Sequence, residues 1–483
     1  MICALHPSWD SSRSRCTEWR AILLAEAIKG RRQLNPQSWL RTSLYPLRCA
    51  YSSSAQDYVA LLLRLHSEDK DTELMLVFES SLMNKEIGAA ITVQGNAIRV
   101  LEYLGYHPDN LKGVDFYGTV RFSASGGEGK THLFLIPTEK MGRAGWLCHR
   151  TDLHEELRRL AIGQDEKGPP ASLHLGQEVV SCDPVAGTLT LKNGAIHQGD
   201  LIIGADGIHS TIRTSVLGYV QKALPSGIST FRCLFDATKL EGLADMEWFS
   251  EGISGARVVV SPEERFQMLF LFPCRRGMLI NVVAHHVDDR DQDQHDWNAP
   301  ATAEEVLEEF KNFQPRYLKF LELGEPPILR WQLRALPILP TWINGRTALL
   351  GDAAHATLPS LGQGAGMSLE DAATIGCLIP LGTKREQIPG RLEAYQHLRK
   401  SRGDFIAMFD GKTNRLFSAK EMQEFLLSYD AVGTTQKYYK GKLCADMIYF
   451  TQLCVLETIF YFHFGCEFNA LGRFFCDRFA VSS

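Results

Sequence analysis

The apolar positions of this chain change period along its length, and each change marks an element. ELMLVFE, from Glu73, is a short apolar run ending on the carboxylate of Glu79, which predicts a buried parallel strand. Ahead of it DYVALLLRLH (Asp57 to His66) reads as a helix, and residues 1–56 form an unpatterned leader. NAIRVLEYLGY (Asn96 to Tyr106) sets Ile98, Leu101 and Leu104 on one helical face, with Gly105 as its stop. Asn193-Gly194 between alternating segments predicts a hairpin, and the LIIGA run after it a strand that delivers Asp206 to a turn. Between Val220 and Arg330 the runs STFRCLF, ARVVVS, FQMLFLF and GMLINVVAHH are short and β-prone, which predicts an antiparallel sheet. RTALLGDAAHATLPS then resumes the first pattern, a buried strand, a Gly-Asp turn and the helical SLEDAATIGCLI.

That return makes the first domain discontinuous. The expected class is α/β: a Rossmann-like nucleotide-binding domain in two parts, 57–219 and 331–413, an inserted antiparallel-sheet domain at 220–330, and a C-terminal helical segment at 414–483. With 483 residues, 45% of them hydrophobic, the chain has ample core for this plan. A net charge of -5 without long like-charge runs leaves no electrostatic footprint for nucleic acid. The 12 cysteines fall singly, with no Cys-x-x-Cys, so neither a metal site nor a redox dithiol is expected. The opening residues lack a secretory pattern, and the chain reads as cytoplasmic. From Leu443 to Gly465 an apolar, aromatic stretch approaches the length of a bilayer span, but Asp446 and Glu457 interrupt it. A buried or dimer-packing helix is the first reading there, and membrane association the second.

The chemistry concentrates in GDAAHATLPSLGQGAGMSLEDA, Gly351 to Ala372. A strand brings Asp352 to the carboxyl edge of the sheet, where open α/β sheets bind ligands, and a carboxylate there suits a ribitol or ribose hydroxyl. Glycines 362, 364 and 366 permit close backbone approach, and the next helix offers unpaired N–H groups. Three further segments accompany it: EIGAAITVQGNAIRVLEYLGY from Glu86, GWLCHRTDLHEELRRLA from Gly145, and DLIIGADGIHSTIR from Asp200. Alone, Asp206-Gly207 suits an ordinary turn and Asp352-Ala353 a helix cap. Together and in this order they resemble the class A FAD-dependent monooxygenases, aromatic-ring hydroxylases of the fungal salicylate-hydroxylase type, over roughly Glu73 to Asp430.

The resemblance implies a set of roles. Asp352, Gly364, Ala365, Gly366 and Met367 hold the flavin; Arg150, Asp206 and Arg213 lie near the pyrophosphate; Glu79 binds the adenosine ribose; Gly88 lets the backbone pass the flavin. Arg232 is the expected catalytic residue, a fixed cation that favours phenolate over phenol. Phe272 stands where relatives often carry Tyr. His355 is expected to pack the helix start rather than to act as a base. The implied activity is hydroxylation of a phenolic or polyketide-derived aromatic molecule with FAD, O2 and NADPH or NADH. The alternatives are epoxidation of an isoprenoid or meroterpenoid, which would want a largely uncharged pocket, and a non-catalytic relative that has lost FAD. No oligomeric state follows from the residues.

One departure stands out. The family's first strand ends in Gly-x-Gly-x-x-Gly, yet no glycine occurs from Arg31 to Ile87, and SSSAQD (Ser52 to Asp57) occupies the place of the turn. Side chains there obstruct approach to a pyrophosphate. Either FAD affinity is weakened, or the opening residues stand in place of the family's first strand.

Overall fold

The computed structural model describes residues 59–63, 75–82, 89–133, 145–163, 170–290, 298–380, 382–408 and 418–441. In chain order these give β1 (Val59–Leu63), β2 (Met75–Glu79), β3 (Ala90–Gln94), α1 (Gly95–Leu104), α2 (Pro108–Leu111), β4 (Val114–Asp115), β5 (Gly118–Ser123), β6 (Lys130–Leu133), β7 (Gly145–His149) and α3 (Arg150–Ile162). Then follow β8 (Ser172–Leu175), β9 (Val179–Asp183), β10 (Thr188–Leu191), β11 (Ile196–Gln198), β12 (Leu201–Gly204), α4 (Thr211–Leu217), β13 (Leu224–Asp236), α5 (Glu247–Ser250), β14 (Ala256–Val260), β15 (Gln267–Cys274) and β16 (Leu279–Val287). The remainder is β17 (Asn298–Pro300), α6 (Ala303–Glu309), α7 (Pro315–Glu322), β18 (Glu325–Ala335), β19 (Ile343–Asn344), β20 (Thr347–Leu349), α8 (Asp352–His355), α9 (Gly364–Leu378), α10 (Ile388–Ala407) and α11 (Ala419–Leu427). The leader 1–56, Gly88 and the apolar stretch 443–465 lie outside the described residues. Among the described residues no helix is long and apolar enough to cross a membrane, and no cluster of His, Cys, Asp and Glu could hold a metal.

The first sheet has the order β19-β20-β12-β1-β2-β8. β12 pairs parallel with β20, and β2 parallel with β8. Helices α1 and α9 pack beside it in a core that joins Phe78, Ile98, Leu101, Ile202, Leu349 and Ile375. Ile98 and Leu101 are fully buried, and Gly105 closes α1 in the left-handed conformation (φ 76°), as the stripe and stop require. The Asn193-Gly194 hairpin forms between β10 and β11.

The stretch from Asp57 to His66 differs from its expected helix. It contains β1, antiparallel to both β2 and β12. VALLL is apolar throughout and has no helical stripe, and the slot between β2 and β12 must satisfy backbone groups along both edges, which a strand does. The reversal has a consequence: Val59 lies opposite Glu79 and Leu63 opposite Met75, so the chain leaves β1 at the edge remote from Glu79. No glycine turn followed by a helix is built at the Glu79 edge among the described residues.

The second large sheet has the order β17-β18-β13-β16-β15-β14-β5-β6, antiparallel except where β5 joins β14. It exceeds the expected span 220–330, because β5 and β6 belong to it and β18 continues to Ala335. One face buries Phe231, Phe235, Leu269, Leu271, Ile280 and Val282 under α6 and α7. Side chains alternate along a strand, so Thr230, Arg232, Phe270, Asn281, Val283, His285 and Trp331 share the other face by register. That face meets the first domain: Ala90 N–H donates to Asn281 Oδ1 (3.1 Å), and Phe272 packs with Phe116 and Leu147.

Candidate active site

β20 runs into Gly351, and Asp352 opens α8 at the carboxyl edge of the first sheet. Burial raises the Asp352 carboxyl above the usual range against the opposing pull of His355, Arg150 and Arg213. Beyond it Gly362 turns through φ +61°, where an added Cβ would lie 2.8 Å from Thr92 Oγ1 and 2.9 Å from Gln94 Nε2. Helix α9 then starts at Gly364, and Met367 N–H is the first to close an intrahelical bond, onto Gln363 O (2.8 Å). The amides of Gly364, Ala365 and Gly366 are therefore the free donors of the first turn.

This turn rests on a buried ionic network. Asp371 accepts from Gly351 N–H (3.1 Å) and Arg399 Nε (2.8 Å), and its Oδ2 lies 2.6 Å from His355 Nε2. Glu370 takes Arg402 Nε (2.8 Å), Arg399 (2.7 Å) and Asn96 Nδ2 (2.7 Å). Asn96 also donates to Gln363 Oε1 (2.9 Å), and Gln94 Nε2 to Leu361 O (3.1 Å), which ties β3 and α1 to the loop before α9. His355 thus packs and pairs beneath the turn. Sequence reading missed Asn96, Gln363, Glu370, Asp371, Arg399 and Arg402; only the Glu-Asp pair inside an otherwise apolar helix hinted at buried partners.

Asp206 and Arg213 act on the protein around them. Asp206 accepts from Ser210 Oγ (2.5 Å), Thr211 N–H (2.6 Å) and Ile212 N–H (2.9 Å), capping α4. Arg213 donates to the carbonyls of Gln221 (3.0 Å), Ala353 (3.1 Å) and Ile208 (2.7 Å), so it joins the Asp206 turn to the Asp352 turn. Glu79 ends β2 with its carboxylate turned back on Ser81 N–H (2.8 Å).

Arg150 opens α3, and its charge reaches both Asp352 and Arg232, so it stands between the Gly-Asp turn and the second sheet. Arg232 lies over the Trp331 ring (5.4 Å), and among the described residues its buried Nε has no hydrogen-bond partner and its guanidinium no ion pair. Burial, with Arg150 adding to it, lowers the Arg232 guanidinium to about 10. Burial and the Arg232 charge push His285 down to about 3.

These elements fit FAD at its flavin end: free amides at α9, a glycine turn that a Cβ would fill, and a carboxylate at the strand edge. The comparisons agree. Residues 165–410 match the family model described as an FAD binding domain. The chain belongs to this family, the FAD-dependent monooxygenases, enzymes that work with O2 and NADPH or NADH. It is similar to the hispidin-3-hydroxylase of Neonothopanus nambi, 38% identical over 380 residues, covering 75% of this chain and 89% of that protein. The FAD-dependent monooxygenase cfoG of Aspergillus candidus is 31% identical over 357 residues, covering 72% and 82%. A solved salicylate hydroxylase substrate complex shares the fold, with a TM-score of 0.59 and 24% identity over 72% of this chain and 90% of that one.

Proposed function

We propose that this monooxygenase hydroxylates a phenolic or polyketide-derived small molecule, in the biosynthesis of a secondary metabolite. The observation that carries the reading is Arg232: a guanidinium on the sheet face turned to the flavin half of the molecule, stacked on Trp331 and unmatched by any described carboxylate. A desolvated cation of this kind favours the ionised form of a phenol and raises electron density on the ring carbons. The chain's similarity to a hispidin-3-hydroxylase and to the monooxygenase cfoG supports it. The charge argues against a neutral isoprenoid, which would leave Arg232 unmatched.

FAD, when bound, supplies hydride acceptance from the nicotinamide and activation of O2. The chain's own residues do the rest. Asp352 and the amides of Gly364 to Gly366 hold the flavin, Met367 packs beneath it, and Arg150 sets positive charge between the two halves of the site. Glu79 takes the adenosine ribose, and Asp206 and Arg213 fix the turn facing the pyrophosphate. Trp331, Phe270 and Val283 exclude water around the ring. The test is oxidation of NADPH or NADH by the FAD-loaded protein against a panel of phenols, with product and hydrogen peroxide both measured. The expected result is phenol-stimulated oxidation coupled to product; for Arg232→Gln, a rise in KM of at least about tenfold and a shift toward peroxide follow from loss of the charged contact. Retention of FAD without stimulation by any phenol would overturn the reading.

A further inference from the structure

Two histidines adjoin on β16 and meet opposite fates. His286 points to the helix-covered face, where it stacks on Phe231 (centroids 4.6 Å) and its Nδ1 meets Val287 O (2.8 Å). His285 points to the other face. There it stands opposite Thr230 on β13 and Met268 on β15, while Trp331 on β18 stands opposite Thr230 from the far side. Arg232 is two residues along β13 on that same face, so the imidazole and the guanidinium are diagonal neighbours, their roots roughly 7 Å apart. His285 makes no hydrogen bond to any described residue, and neither ring nitrogen is among the sealed atoms. It is a largely buried polar group for which no described residue provides a partner, beside a cation in the same condition.

We propose that His285 is a specificity-determining residue that orients the substrate by a hydrogen bond to a second, un-ionised oxygen, while Arg232 holds the ionised one. The inference rests on the phenol reading above and deepens it. The site then selects a ring bearing two oxygens on different carbons, one phenolate and one hydroxyl. Burial and the nearby guanidinium keep the imidazole neutral, able to donate from one nitrogen and accept at the other. A second anion gains nothing from such a group. A site built to bind a hydroxyl rejects the analogue that lacks it, because its own polar group is left unpaired.

The experiment titrates the FAD-loaded protein with resorcinol (1,3-dihydroxybenzene) and with phenol, reading tryptophan fluorescence and flavin absorbance. The wild type is expected to prefer the dihydroxy ligand by about tenfold or more. His285→Leu should erase that preference while leaving affinity for the monohydroxy ligand in place, which also shows the variant is folded. His285→Gln, which keeps a donor and an acceptor, should restore part of it. A preference that survives in His285→Leu, or a loss of both ligands alike in His285→Leu and His285→Gln, overturns the role of His285 while the phenol reading stands. Failure of the wild type to bind either phenol, or binding indifferent to Arg232→Gln, removes the phenol reading and this proposal with it.

Discussion

Asp371 and Arg232 are both charged and both withdrawn from water, and their surroundings assign them opposite work. Asp371 is met on every side, by Gly351 N–H, His355 and Arg399, whereas among the described residues Arg232 has only the Trp331 face. A buried ion whose partners are all present holds structure, and removing it strands those partners at a cost of about 3–5 kcal/mol. Asp371→Asn is therefore expected to lower the thermal midpoint by several degrees and to shed FAD, measured by calorimetry and by flavin retained after desalting. Arg232→Gln should not lower the midpoint, since it removes a desolvated cation that no described carboxylate offsets; a drop as large as that of Asp371→Asn would make Arg232 a structural residue. The Phe-Arg segment is what singles out Arg232 in the sequence. The partners of Glu370 and Asp371 are not marked there, because Arg402 and Arg399 follow some thirty positions later on α10, and no local pattern links a carboxylate to a guanidinium across that interval.

At the scale of elements, the glycines of the loop before α9 mark it in the sequence as a place where the backbone can approach a ligand. Gly362 occupies a left-handed turn against Thr92 and Gln94, and a Cβ there meets both strain and contact. The strain alone is about 1–2 kcal/mol, enough to displace the first-turn amides, so Gly362→Ala is expected to weaken FAD binding by about tenfold in equilibrium dialysis, with the far-UV spectrum unchanged. Unaltered affinity would mean that the amides of Gly364 to Gly366 do not face the cofactor. The elements with a clean period, α1 and the β10–β11 hairpin, were equally legible. β1 was not: five apolar residues fit a buried helix or a buried strand alike, and only the vacant slot between β2 and β12 decides. The same limit applies to β5 and β6, which the chain order assigns to the first domain and pairing with β14 assigns to the second sheet.

Across the whole molecule, the two sheets are clasped by Asp152 of α3, which takes Arg275 Nε (2.8 Å) and Lys112 Nζ (3.0 Å), while Arg276 N–H donates to Lys112 O (2.7 Å). Beside this clasp burial holds His149 down at about 4, with the Arg275 charge adding to it; His154 is pushed to about 4 and His285 to about 3, again chiefly by burial. In the unfolded chain each titrates near 6.5. Between about pH 6.5 and 4 the unfolded chain thus binds protons that the native protein refuses, and each histidine removes up to about 1.4 kcal/mol of stability per pH unit across that window. Their contribution is complete above pH 6.5 and lost as pH falls. Asp206 and Asp352, whose carboxyls burial raises, act in the opposite sense, so the net slope alone does not isolate the histidines. The difference between wild type and His149→Gln does, because glutamine does not titrate. The midpoint of the wild type should fall more steeply from pH 7 to 4.5 than that of the variant, the two curves converging or crossing at the acid end. Parallel curves over that range would show that His149 takes up its proton in the folded state, and that the junction around Asp152 is open to water.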